Sequence, residues 1–155
     1  MKFNVITIEL PNQIKLQYVE QGDFLGIPLI LLHGYTDSWY TFERVLPYIP
    51  KSIRTFALTQ RGHGDSSRPA AGYRSSDFAM DLAEFMDVLR LKKAAIVGGS
   101  SGGIVARRFA IDHPNRTLGL ILAGSPLTFQ DKPGVLELWN STISKLAFAT
   151  FSIIH

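Results

Sequence analysis

The chain has 155 residues, of which 46% are hydrophobic and 19% charged, and this length and balance indicate one globular domain with a sizeable core. Its formal net charge of +3 comes from scattered basic residues, so nucleic-acid binding is not indicated, and the lack of cysteine excludes disulfides and thiolate metal sites. No apolar signal core follows the first residues and no run of about 20 apolar residues predicts a membrane span, so the expected location is the cytoplasm.

The first predicted elements are two antiparallel strands at one edge of a sheet. Apolar and polar residues alternate over 3–10 and 14–19, and turn-forming residues at 11–13 separate the two segments. This period is typical of strands that have one solvated face.

The next apolar run, 28–32, predicts a fully buried parallel strand that ends in His33, Gly34 and Tyr35. Gly34 allows the chain to bend, so that the backbone amide of Tyr35 converges with an amide from a later turn and forms an oxyanion hole. We interpret His33 as a buried side chain that holds loop backbone through hydrogen bonds, in preference to a general base.

A buried strand over 53–58 leads into a turn at 61–66 with the sequence RGHGDS. Its two glycines fit a tight turn, and we expect Arg61 to pair with Asp65 and hold the turn, which is a structural role. His63 and Asp65 alone are too few ligands for a metal site.

Residues 94–111 predict an apolar strand, a turn of small residues with the sequence GGSSGG, and a helix. Gly98 and Gly102 lie two positions before and after Ser100, where larger side chains would collide in a sharp strand-to-helix turn. This spacing is the pattern of a nucleophile elbow, which exposes the Ser100 hydroxyl above the strand ends. The residue types therefore suit acyl transfer.

Other interpretations of this turn stay open. The pattern also fits one residue later, around Ser101, and the small residues also suit a plain flexible connection. We favour Ser100, because the apolar strand then ends before Gly98 and Ser101 begins the helix, where its amide can donate to an oxyanion. The glycine spacing excludes a dinucleotide-binding loop, and the residue after the last glycine excludes a phosphate-binding loop.

Strands and helices alternate along the chain, which predicts an α/β fold. The expected sheet is mostly parallel, with about six strands and with helices on both faces, one of them beginning near Ser75. Its last strand, 118–123, is apolar on both faces, and nothing is predicted to pair with its outer edge. We therefore expect self-association through that edge.

The order of these motifs resembles the α/β-hydrolase family, and within it the serine-nucleophile, esterase- or lipase-like branch. The resemblance rests on His33-Gly34 after one strand, RGHGDS after the next and the Ser100 elbow after a third. It implies the α/β-hydrolase fold without its last strands. It also implies a nucleophile at Ser100 and an oxyanion hole formed by the backbone amides of Tyr35 and Ser101.

The resemblance covers nearly the whole chain and divides it in two. Residues 1–130 correspond to the N-terminal part of the hydrolase core, and 131–155, with Trp139, to the start of a lid or to a following helix. Two positions depart from the family pattern: Thr59 stands where relatives often carry aspartate, and Gly99 where many carry histidine. Neither departure removes a catalytic atom.

The catalytic acid and base are not identified. In the family they follow the serine in the order acid, then histidine, so His33 is in the wrong place. Downstream of the last strand only Asp131, Glu137 and His155 are available, and we interpret Asp131 as part of a polar turn and His155 as a frayed end. The chain is therefore expected to be truncated and to lack both groups.

The function expected from these observations is hydrolysis of an ester-like or related acyl bond of a small molecule through a serine acyl-enzyme, without cofactor or metal. Because the acid and base are missing, the chain alone is expected to have little activity. The alternative is a non-catalytic fragment or binding module that keeps the hydrolase scaffold.

Overall fold

The apolar runs of the sequence form six strands of one sheet in the computed structural model, which describes residues 3–125. Their order across the sheet is β1-β2-β4-β3-β5-β6. The strands are β1 (Val5–Glu9), β2 (Lys15–Gln21), β3 (Ile27–Leu32), β4 (Ile53–Thr59), β5 (Ala94–Gly99) and β6 (Thr117–Ala123).

The sheet is mostly parallel, as predicted. β1 pairs with β2 and β2 with β4 in antiparallel fashion, whereas β3 pairs in parallel with β4 and β5, and β5 with β6. The hairpin of β1 and β2 forms one edge, which confirms the interpretation of the alternating N-terminal segments. The sequence order reverses between β3 and β5, so the carboxyl ends of these two strands border the switch point of the sheet.

Two α-helices, α1 (Ser75–Val88) and α2 (Ser101–Asp112), contribute to one hydrophobic core on the same face of the sheet. Phe56, Phe85 and Phe109 are fully buried there. The opposite face packs against short 3-10 segments, through a smaller cluster of Val19, Leu31, Leu46 and Ala57. These segments are Trp39–Phe42 and Leu46–Tyr48, and a third, Pro114–Arg116, precedes β6.

The turn after β4 differs from the sequence-based expectation. Arg61 does not pair with Asp65; its guanidinium forms two hydrogen bonds of 2.5 Å to the carboxylate of Asp81 on α1. Both side chains are buried, and Asp81 also accepts a 2.9 Å hydrogen bond from the Asn12 side chain in the β1–β2 turn. Spacing within the turn could not reveal this partner, because it lies on a later helix.

β6 lies at the end of the strand order, and several of its large apolar residues are exposed in the described part of the chain. Leu118 is 53% exposed and Ile121 is 57% exposed. Self-association through this edge stays a prediction. The described residues belong to a compact unit that spans Met1–Ser125. The boundary predicted near residue 130 and the predicted lid segment 131–155 lie outside the described residues.

Candidate active site

The turn between β5 and α2 places Ser100 in a conformation that few residues other than glycine adopt. Its φ is 49° and its ψ is −120°. The residue stands between the extended backbone of β5 and the helical backbone of α2, which begins at Ser101. The Ser100 amide donates a 2.9 Å hydrogen bond to Ala123 in β6, and its carbonyl accepts one of 3.0 Å from Gly103. β5 extends to Gly99, two residues beyond the predicted 94–97.

Close backbone contacts explain the glycines on either side of Ser100. A Cβ atom on Gly98 would lie 2.4 Å from the Gly103 Cα, and one on Gly102 would lie 2.4 Å from the carbonyl oxygens of Leu32 and His33. A Cβ on Gly99 would have its nearest neighbour at 3.9 Å, so this position has room for a methyl group. The spacing Gly-x-Ser-x-Gly around Ser100 is therefore a steric requirement of the turn.

The loop after β3 passes close to Ser100, which is itself exposed. A Cβ atom built on Gly34 would lie 3.2 Å from the Ser100 Cβ and 3.8 Å from its Oγ. β3 and β5 are parallel neighbours, so their carboxyl ends and the loops that follow meet at the same edge of the sheet. The structure thus brings together Gly34, which precedes Tyr35, and the start of α2, where Ser101 lies.

His33 is fully buried beneath this loop and both of its ring nitrogens bind backbone groups. The Gln60 amide donates a 3.0 Å hydrogen bond to Nε2, so the proton is on Nδ1, which donates to the Gly34 carbonyl at 2.7 Å. Burial lowers the pKa of His33 from 6.5 to about 4. This neutral ring holds the loop and has no free nitrogen to accept a proton from Ser100.

His63, from the RGHGDS turn, packs edge-to-face against His33 with ring centroids 4.8 Å apart. Its Nδ1 lies 2.9 Å from the Arg61 carbonyl, and its ring is 6.5 Å from that of Tyr35. Burial lowers the pKa of His63 as well. Both histidines therefore favour the neutral state.

Sequence reasoning missed Gln60, whose backbone and side chain both bind His33. Its side-chain amide donates a 3.0 Å hydrogen bond to the His33 carbonyl, in addition to the backbone contact with Nε2. The only signal was its place at the carboxyl end of a buried strand, beside the loop that carries the predicted oxyanion amide.

Within residues 3–125, no group of three or more histidine, cysteine or acidic side chains could hold a metal ion, and no helix is long and apolar enough to cross a membrane. The positions considered for the acid and base, Asp131, Glu137 and His155, lie outside that range. The described arrangement thus presents an exposed serine hydroxyl at a helix N-terminus and beside a second loop, where backbone amides can donate to a developing negative charge.

The chain matches known proteins over most of its length. A family model described as the alpha/beta hydrolase fold matches residues 27–152. The chain is 36% identical over 102 residues to a soluble epoxide hydrolase of Corynebacterium sp. (strain C12), covering 66% of this chain and 35% of that protein. It is 35% identical over 120 residues to 2-hydroxymuconate semialdehyde hydrolase of Pseudomonas sp. (strain CF600), covering 74% of this chain and 42% of that protein.

The chain is also similar to a solved structure of a hydrolase. An esterase from Rhodococcus sp. ECU1013 superimposes with a TM-score of 0.72 at 30% identity, covering 78% of this chain and 46% of the esterase chain. The chain thus spans between a third and a half of the length of these relatives, and all three carry names of hydrolases.

Proposed function

Since the chain belongs to the α/β-hydrolase fold family, we propose that it is the core of a hydrolase with Ser100 as its nucleophile. The observation that carries this proposal is the geometry of the elbow. Ser100 combines a positive φ with a position at the start of α2 and close to Gly34 in the loop after β3. Backbone strain of this kind persists at functional sites because the surrounding structure enforces it.

The proposed reaction forms a covalent acyl-enzyme. The Ser100 oxygen attacks the carbonyl carbon of an ester-like bond, the amides of Tyr35 and Ser101 donate hydrogen bonds to the resulting oxyanion, and the alcohol departs. Water then attacks the acyl group and frees Ser100. We do not assign His33 as the base, because both of its ring nitrogens already bind backbone.

The serine favours an acyl substrate over the epoxide named for the Corynebacterium relative. A carboxylate nucleophile that opens an epoxide forms an ester, which water can hydrolyse. A serine hydroxyl that opened an epoxide would form an ether, and water does not hydrolyse an ether as it does an ester. The proposed substrate class is therefore a small molecule with an ester or related acyl bond.

The test is the hydrolysis of a short-chain aryl ester by the full chain, together with covalent labelling by a fluorophosphonate. Ser100→Ala abolishes labelling, and any ester hydrolysis falls by about four to six orders of magnitude if the acid and base are present. Ser101→Ala keeps the backbone amide and only weakens labelling. The reverse pattern would contradict the assignment of the elbow, whereas equal background in all proteins would favour a non-catalytic module.

A further inference from the structure

Gln60 makes three hydrogen bonds, two of which join the end of β4 to the loop after β3. Its backbone amide donates to His33 Nε2, its side-chain Nε2 donates to the His33 carbonyl, and its own carbonyl accepts a 3.2 Å hydrogen bond from the His63 amide. Gln60 is 6% exposed, so water does not compete effectively for these contacts.

The orientation of the Gln60 side chain is fixed by what it binds. Its Nε2 faces the His33 carbonyl, whereas Oε1 is buried and has no hydrogen-bond partner within the described part of the chain. Rotating the amide by half a turn would place two oxygens against each other. A buried amide that leaves one oxygen unsatisfied is costly compared with an apolar side chain, so its retention calls for an explanation.

The bound carbonyl lies where the two loops of the site meet. The His33 oxygen lies so close to Gly102 in the first turn of α2 that a Cβ there would be 2.4 Å away. One residue further along, Gly34 lies above Ser100. A shift of the His33 carbonyl would therefore displace both the loop that leads to Tyr35 and its contact with α2.

Resting on the proposed function, we propose that Gln60 is a positioning residue that sets the direction of the Tyr35 amide through the His33 carbonyl. Gln60 does not touch the reacting atoms. It fixes the peptide between His33 and Gly34, and the next peptide, which carries the Tyr35 amide, is held by His33 Nδ1 through the Gly34 carbonyl. The second oxyanion donor is therefore already in place when negative charge develops on the substrate oxygen.

The experiment compares Gln60→Met with Gln21→Met in the full chain. The Gln21 side chain also donates to a backbone carbonyl, that of Leu46, but at the opposite end of the sheet, so the two variants lose the same kind of bond. The first readout is the second-order rate of labelling by a fluorophosphonate, whose phosphoryl oxygen occupies the same position as the oxyanion. The second is the ¹⁵N order parameter of the Gly34 and Tyr35 amides, which does not require activity.

We expect Gln60→Met to slow labelling by about tenfold or more and to lower both order parameters, and Gln21→Met to stay within about twofold of wild type. Gln60→Asn, which keeps a neutral amide but shortens the side chain by one methylene, serves if Gln60→Met does not fold. Equal rates and unchanged order parameters in a folded variant would overturn the proposal. If wild type does not label, this chain alone does not activate Ser100, and the order parameters alone decide whether Gln60 positions the loop.

Discussion

The two loops that meet at Ser100 are held by different physical means. The elbow is fixed within a few residues by close backbone packing around Gly98 and Gly102. The loop after β3 is fixed from a distance, by hydrogen bonds from Gln60 to His33. The elbow is therefore sensitive to larger side chains at its glycines, whereas the loop after β3 is sensitive to protonation of His33 and to substitutions elsewhere in the fold.

The largest expected effect on the region around the loop after β3 comes from removing the buried ion pair of Arg61 and Asp81. Asp81→Leu leaves the Arg61 guanidinium buried without its carboxylate, and we expect a loss of about 3–5 kcal/mol in the free energy of unfolding. Denaturant titration measures this loss. Adding Arg61→Met should recover part of it, because no unpaired charge then stays buried.

A matched control for that prediction is the exposed pair of Arg108 and Asp112 on α2, whose side chains are 47% and 29% exposed. Removing it by Arg108→Met should cost no more than about 0.5 kcal/mol. A similar cost for both pairs would contradict the view that the buried pair supports the RGHGDS turn.

Acid should loosen the loop after β3 without affecting the elbow directly. Folding lowers the pKa of His33 from 6.5 to about 4, so the unfolded chain binds the proton first. The stabilisation due to neutral His33 is complete above pH 6.5 and is lost as pH falls towards 4, by roughly 3 kcal/mol. His33→Gln, which keeps an acceptor for the Gln60 amide, should lose correspondingly less stability over this range. Parallel stability curves for the two proteins would contradict the prediction.

The elbow is tested by two neighbouring glycines. Gly98→Ala places a methyl group against backbone atoms 2.4–2.6 Å away, and we expect a loss of about 1–3 kcal/mol. Gly99→Ala is the control, since its nearest neighbour would be 3.9 Å away. If both variants unfold at the same denaturant concentration, the packing account of the elbow is wrong.

The smallest effect concerns Thr36, which follows Tyr35 and has a φ of 62°. A β-branched residue is strained in this conformation, and glycine relieves the strain at some cost in unfolded-state entropy. We expect Thr36→Gly to raise the free energy of unfolding by up to about 1 kcal/mol. A clear destabilisation would show that the threonine side chain contributes more than its backbone costs.

The contrast between a turn fixed by its neighbours in sequence and a loop held by distant residues also explains which features could be predicted from the sequence. The Ser100 turn could be predicted because the features that determine it are adjacent in the chain. They are an apolar strand, flanking glycines and a following helix. Gln60 and Asp81 were missed, since each acts on a segment about 20 or more positions away and a polar residue has no periodic pattern. The pairing of Arg61 with Asp65 was wrong for the same reason: it assumed that a turn finds its partner locally.

The pairing of the strands also bears on when the site forms during folding. The β1–β2 hairpin joins residues close in sequence, whereas β3 reaches β5 only by bringing Leu29 to Ala95. Contacts over such separations form slowly, because the intervening chain must first be ordered. The Ser100 amide further depends on Ala123 in the last strand described. We therefore expect Ser100 to be unstrained in a chain emerging during synthesis, and its strained turn to form only after β3, β5 and β6 have paired.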